Sequence, residues 1–397
     1  MSKIIKTYFV GFSLLAHLVL GVLFITLLSE RITNHWRWEG IKRAVVGNVD
    51  KSPVYVMDFD GYLSLPKNQW LKIHQQTPND AVHFYKQPYS GSAFDNHRAH
   101  LLMFGGNTNQ NEFSNAIYTF DMNKLQWHAS YSPDSVATYS VNEKGFPVAG
   151  LQNNHPWAIN TCGGIEYDSL FDSLVIASSP QQLSPSKAAT GKNLASIWSS
   201  IKQQPTWNYS FIEKQWKASE SKGADFYAYT MSYDSDRDVM TAFTANSIFN
   251  WTRNAGWKQV AHSNINQWSI NSVYDSVNHA FVIYGGNARK NDVYVYVSGE
   301  SSTKKMPTIG ERPPAAGSEI PLAFHSRIKK IVAVINTGDT AQTWLYDLEK
   351  DRWEKFPADF PFNVGTNYAM EYDAVHNLIV FIANPTHEET SVWVLKI

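Results

Sequence analysis

The chain has 397 residues, with 34 basic and 35 acidic side chains and only 17% charged overall. No basic field exists to hold nucleic acid, so that partner class is excluded. The single cysteine, Cys162, rules out an intrachain disulfide and leaves the redox compartment open, while 14 Trp and 20 Tyr point to one large aromatic-rich β domain.

At the N-terminus, Thr7–Leu28 is a run of 22 residues without a formal charge. At about 1.5 Å per residue it is long enough to cross about 30 Å of hydrocarbon, so residues 1–30 are predicted to be a transmembrane signal anchor that meets the membrane through residues 7–28. A cleaved signal peptide would want a shorter apolar region and a small-x-small site, which TLLSER does not offer. Lys3 and Lys6 precede the span and Arg31, Arg37, Lys42 and Arg43 follow it, so charge alone sets no orientation. A six-residue tail suits an anchor that leaves the following domain outside the cytoplasm. Residues 31–52, with Trp36 and Trp38, are expected to form a juxtamembrane linker.

From residue 53 to 397 the pattern is β. VYVMDFD (54–60) reads as a strand of unassigned place, and NQWLKI around Trp70 as the end of a blade. The stretch 94–127 then sets the repeat: an aromatic residue and Asp (Phe94, Asp95), a polar turn, the apolar run Leu101–Phe104, the pair Gly105 and Gly106, a strand near Tyr118, and Trp127. Copies follow at Tyr167–Asp168, Tyr233–Asp234, Tyr274–Asp275, Phe324–His325 and Tyr372–Asp373, with anchor spacings of 73, 66, 41, 50 and 48 residues. Trp127, Trp216, Trp257 and Trp353 recur at one place in their repeats and are predicted to be core. Units of this size cannot bury both faces alone, so they must stack around an axis.

The motif resembles the Kelch repeat, the glycine pair recurring at Gly285 and Gly286. The resemblance implies an all-β Kelch-type propeller, of six blades or seven with VYVMDFD. The last copy lacks its fourth strand, and the Trp70 segment is expected to supply it beside SVWVLKI, removing exposed sheet edges. Similarity to bacterial Kelch proteins implies a periplasmic location.

Two long spacings mark insertions at 131–155 and 180–205, which strand alternation brings out on one face. The second carries Leu194, Ile197, Trp198 and Ile201 at helical spacing before Pro205, a short amphipathic helix acting as an edge cap or a lid. Asparagines gather on the same face: Asn107, Asn109 and Asn111, then Asn153, Asn154 and Asn160, then Asn264, Asn266 and Asn271. Amides offer paired donors and acceptors and rings pack on sugar faces, while Asn is also ordinary turn chemistry. Candidate ligand residues on this face are His155, Trp157, Asn160, Trp198, Trp268 and Asn271.

Counting five residues back from each anchor gives Tyr89, Cys162, Ala228, Ser269, Glu319 and Asn367, which should line the central channel. Glu319 is the charged member of that set, and Glu319 and Asn367 join the candidate site; Cys162 reads as a small buried hydrophobe. Two function classes follow. The preferred one is a binding module that presents glycan or an envelope-protein partner with its loop face, with no cofactor or metal. The other is a sugar-modifying enzyme, because the Kelch family includes a sialic acid mutarotase and a copper radical oxidase. The oxidase needs a cross-linked tyrosine and cysteine with two histidines; Tyr89, Cys162, His83 and His155 are loosely available, without the family's motifs around them. No GxSxG elbow, phosphate loop or HExxH occurs.

Overall fold

The computed structural model describes residues 59–77, 80, 82, 89–105, 113–179, 194–220, 230–288, 291–314, 320–338, 340–364, 368–383 and 390–397. The predicted membrane span and linker, the VYVMD part of VYVMDFD (54–58), and Asn107, Asn109 and Asn111 lie outside them. Among the described residues no helix is long and apolar enough to cross a membrane.

Among the described residues, strands of four to seven residues, and one of two, assemble into six four-stranded antiparallel sheets, plus a small hairpin, Ser140–Val141 with Pro147–Val148. Blade 1 comprises Gly91–Asp95, His100–Phe104, Ile117–Asp121 and Gln126–Ala129; blade 2 comprises Ile165–Asp168, Ser173–Ile176, Thr206–Ser210 and Gln215–Ser219. Blade 3 runs Thr230–Asp234, Val239–Phe243, Ser247–Thr252 and Gly256–His262, and blade 4 Ile270–Asp275, Ala280–Gly285, Tyr294–Val297 and the two-residue Lys304–Lys305. Blade 5 is Leu322–His325, Lys330–Asn336, Ala341–Asp347 and Arg352–Lys355. Blade 6 takes Tyr368–Asp373, Leu378–Ala383 and Ser391–Leu395 from the C-terminus and Trp70–Gln75 from the N-terminal side.

Burial explains the sequence pattern strand by strand. Second strands such as Leu378–Ala383 are covered on both faces by neighbouring blades, so they read as continuous apolar runs. Fourth strands face solvent on one side and alternate: Trp127, Trp216 and Trp353 are buried between exposed neighbours. Each apolar layer joins two adjacent blades, as where Met103, Phe120 and Trp127 of blade 1 meet Val380 and Val392 of blade 6.

The Asp that follows five of the six anchors is a turn device. Asp95 Oδ1 accepts from the backbone N–H of His97 and Arg98 at 2.8 and 3.2 Å, and Asp234, Asp275 and Asp373 repeat the arrangement. These short side chains satisfy turn donors that would otherwise be orphaned. The first glycine of the glycine pair has a different cause. Gly105 has φ 73°, and a Cβ there would lie 1.8 Å from the Ile159 carbonyl oxygen, so only glycine permits this contact between consecutive blades.

Ring closure follows the expected route: Trp70 pairs with Leu395 and Lys72 with Trp393. Six sheets complete the ring, and the seventh-blade alternative is corrected. Its segment ends in a short helix, Phe59–Leu63, in which Tyr62 Oη donates to Met122 O at 2.6 Å and the Tyr62 and Leu63 carbonyls accept from Lys396 Nζ. With blade 6 already four-stranded and its first strand against those of blades 5 and 1, the ring closes without a seventh blade.

Candidate functional site at the central channel

The first strands of all six blades converge on the axis, each touching those of its two neighbours, and enclose a cavity of about 270 Å³. Ser92, Glu166, Thr230, Ser232, Asn271, Ser272 and Glu371 bring polar groups to its wall, among aromatic side chains such as Tyr89, Phe324 and Tyr368. On one side, Ser92 Oγ donates to Glu371 Oε1 at 2.6 Å, linking blade 1 to blade 6. On the other, a chain of hydroxyls crosses from blade 3 to blade 4: Ser272 Oγ lies 2.6 Å from Ser232 Oγ and 3.0 Å from Thr230 Oγ1.

Both carboxyl groups are partly open to the channel and otherwise ringed by protein. Burial pushes the Glu371 carboxyl up to about 7, with the Ser92 hydrogen bond acting in the opposite direction. Glu166 is raised well above the ordinary carboxylate range by burial first and by the Glu371 charge next, against the backbone N–H groups of Tyr167 and Tyr233. A carboxylic acid protonated near neutral pH is both donor and acceptor, so the site offers more than a pair of fixed charges.

The expected five-residue register is only partly correct. Tyr89 and Cys162 do line the cavity, and Cys162 N donates to Tyr89 O at 2.9 Å. However, Tyr89, Cys162 and Ser269 precede their strands in left-handed backbone, at φ 64°, 46° and 54°, rather than standing on them. Ala228, Glu319 and Asn367 lie outside the described residues. Charged channel residues instead sit one place before the anchor, at Glu166 and Glu371, which sequence reading missed. The available signal was the triplet Glu-Tyr-Asp, present in both blade 2 and blade 6 and in no other blade.

The remaining candidate residues separate into different environments. Asn271 lines the channel and its amide donates to Ile320 O. Trp157 is fully buried, its Nε1 donating to Val148 O at 2.8 Å and Ser140 O at 3.2 Å, so its ring offers no open face to a sugar. It is the centre of a small core in which Tyr139, Ala149 and Leu194 are buried and Trp198 is partly buried. This core joins the two insertions: Leu194–Trp198 is the expected helix, and Lys202 N donates to Gly145 O at 3.0 Å. Asn160 is buried, and its carbonyl accepts from Ser178 Oγ at 2.9 Å. His155 Nδ1 lies 2.7 Å from Asp134 Oδ2, with Tyr131 against its ring at 4.6 Å. Trp268 remains half-exposed, its backbone tied to Asn287 in both directions. Two pairs that the copper reading needed are thus apart in role: Tyr89 and Cys162 are channel neighbours, whereas His155 belongs to the insertion and His83 lies outside the described residues. Among the described residues no three His, Cys, Asp or Glu side chains group to hold a metal ion.

Compared with known proteins, the chain matches no protein-family model, and no curated protein is significantly similar to it.

Proposed function

We propose that the protein is a Kelch-type propeller, held to a membrane by residues 7–28 with its propeller outside the cytoplasm, that acts as a glycan-binding accessory module in cell-envelope assembly. The ligand enters the central channel rather than resting on Trp157. The observation that carries this reading is the cavity wall, where hydroxyl, amide and carboxyl groups stand among aromatic side chains. Such a wall offers alternating donors and acceptors to a polyhydroxylated molecule, and ring faces to its apolar side. A cavity of about 270 Å³ sits near the lower end of ordinary small-ligand clefts, which suits one sugar unit rather than a buried polymer.

Support for the channel also comes from topology. Both insertions are attached at the ends of blade 2 strands on the face where the first strands begin, and their described parts share the Trp157 core. The test is calorimetry on a panel of mono- and oligosaccharides with the full chain, the Ser272→Ala variant and the Trp268→Ala variant. Loss of tenfold or more in affinity for Ser272→Ala, about 1.4 kcal/mol, is expected. Affinity unchanged in Ser272→Ala but lost in Trp268→Ala would move the site to the outer loop face.

A sugar-modifying activity is the second reading, favoured by the carboxyl pair. A group titrating at about 7 can donate and accept a proton at neutral pH, which is what opening and reclosing a sugar ring demands.

A further inference from the structure

The channel wall has a charge asymmetry that its glycan-binding role does not by itself require. Among the described lining residues there are two carboxyl groups, Glu166 and Glu371, and no Lys, Arg or His. The hydroxyl chain opposite is also incomplete. Three hydroxyls, on Thr230, Ser232 and Ser272, carry three O–H donors, and the two contacts among them use two. One donor, together with unused lone pairs, is left for whatever occupies the cavity.

We propose that the channel selects a hydroxylated primary amine, an amino sugar with a free ammonium group, which sits between Glu166 and Glu371 while its hydroxyls meet Thr230, Ser232 and Ser272. This rests on the reading of the channel as the glycan site and names the class of glycan. The electrostatic reason is direct. Two enclosed carboxyls repel when both ionise and pay a desolvation penalty, and an adjacent cation removes both costs. An ammonium has three donors and no acceptor, matching an acceptor-rich wall; N-acetylation would replace it with a neutral amide and leave the pair unneutralised. A carboxylate-containing sugar is disfavoured by the same charges.

Binding of such a ligand must be coupled to proton release. The first strands packed on that of Glu371 carry Ser92 and Asp95 in blade 1 and His325 in blade 5, Tyr372 and Asp373 follow Glu371 on its own strand, and Glu166 stands in blade 2, on the other side of blade 1. Asp95 and Asp373 are occupied by their turns, and His325 stacks on Tyr372. Glu166 and Glu371 are therefore the groups that must lose protons, and affinity for the ammonium form should rise with pH up to about 7, where Glu371 ionises.

The test is calorimetric titration of the full-length chain with glucosamine, N-acetylglucosamine and calcium chloride, separately, at pH 5 and pH 7. Glucosamine should bind at least tenfold more tightly than N-acetylglucosamine at pH 7 and at least tenfold more tightly at pH 7 than at pH 5. Glu371→Gln should flatten that pH dependence, and Glu166→Gln should weaken glucosamine alone; the wild-type pH profile stands as an independent measurement if either variant fails to fold. Equal affinity for both sugars, sensitive to Ser272→Ala but not to either Gln substitution, would overturn the amine selectivity and leave the channel reading standing. No binding of either sugar would overturn the amine proposal, and a channel insensitive to Ser272→Ala with every glycan tested would overturn the channel reading as well. Stoichiometric calcium binding without glucosamine binding would assign the carboxyl pair to a metal ion and overturn the ammonium.

Discussion

Trp70 Nε1 donates to Thr343 Oγ1 at 2.9 Å across 273 residues of sequence, tying the N-terminal strand of blade 6 to the third strand of blade 5. The same bond recurs between blades 3 and 2, where Trp257 Nε1 reaches Thr206 Oγ1 at 2.7 Å. In these two blades the outer-strand tryptophan thus fills the space between neighbouring blades and satisfies its N–H on the blade behind it. In the closing blade this contact also decides whether the ring stays shut, because the Trp70 strand is what covers the edge of Ser391–Leu395.

Trp70→Ala is therefore expected to cost about 3–5 kcal/mol, the usual range for emptying a buried tryptophan site, and to promote association through the loosened edge. Thr343→Val keeps the shape but strands the Trp70 N–H and the Ala358 carbonyl, to which Thr343 Oγ1 donates at 2.6 Å. Its expected cost is about 1–3 kcal/mol. Urea denaturation of the two variants checks both figures; equal and negligible losses would show that blade 6 is closed by something other than this strand.

His325 stands where the other five anchors have Asp, and it is fully buried. Neither ring nitrogen has a partner outside its own residue among the described residues. Burial pushes its pKa down to about 4, and nearby Arg327 acts in the same direction. Because the folded value lies below the unfolded value of about 6.5, the unfolded state takes up the proton first as pH falls. Stability is thus intact above about 6.5 and is lost progressively down to about 4, by up to about 3 kcal/mol. His325→Asp should remove that loss by restoring the turn acceptor; an unchanged difference in unfolding free energy between pH 7 and pH 4.5 in this variant would refute the assignment.

For Trp157→Ala the buried ring and its two hydrogen bonds predict a structural loss of about 3–5 kcal/mol from the insertion core. The insertions are local structure outside the six sheets, so the loss should be read as faster amide exchange over residues 139–158 with little change in the blades. Exchange unaltered in that segment would return Trp157 to the list of ligand residues.

Much of the fold was legible in sequence because a blade is built from near neighbours. Strand runs, the aromatic-Asp turn and the outer tryptophan all act within about fifty residues, and stacking merely repeats them. Even closure by Trp70 left a trace, since a missing fourth strand at Ile397 and an unmatched one near residue 70 complement each other. Glycine at 105 was visible as a motif, but its reason, the Ile159 carbonyl in the next blade's approach, was not.

The channel's chemistry was decided only by tertiary structure. Ser92 and Glu371 stand 279 residues apart, and Thr230 and Ser272 stand 42 apart, yet ring closure brings the first pair into contact and the stacking of blades 3 and 4 the second. The Glu-Tyr-Asp triplet marks Glu166 and Glu371 in sequence, but no local periodicity tells a strand glutamate that faces solvent from one that faces the axis; that is decided where six first strands meet. Trp157 carries the same lesson in reverse. In sequence it stands in a long loop among polar residues, and Tyr139 and Ala149 of the first insertion together with Leu194 and Trp198 of the second remove its ring from water. Local pattern determined which residues form blades, because hydrogen-bond pairing and alternating burial are short-range demands. The axis and the insertion core determined which polar groups are desolvated together, because desolvation depends on everything that surrounds a group and not on its neighbours in the chain.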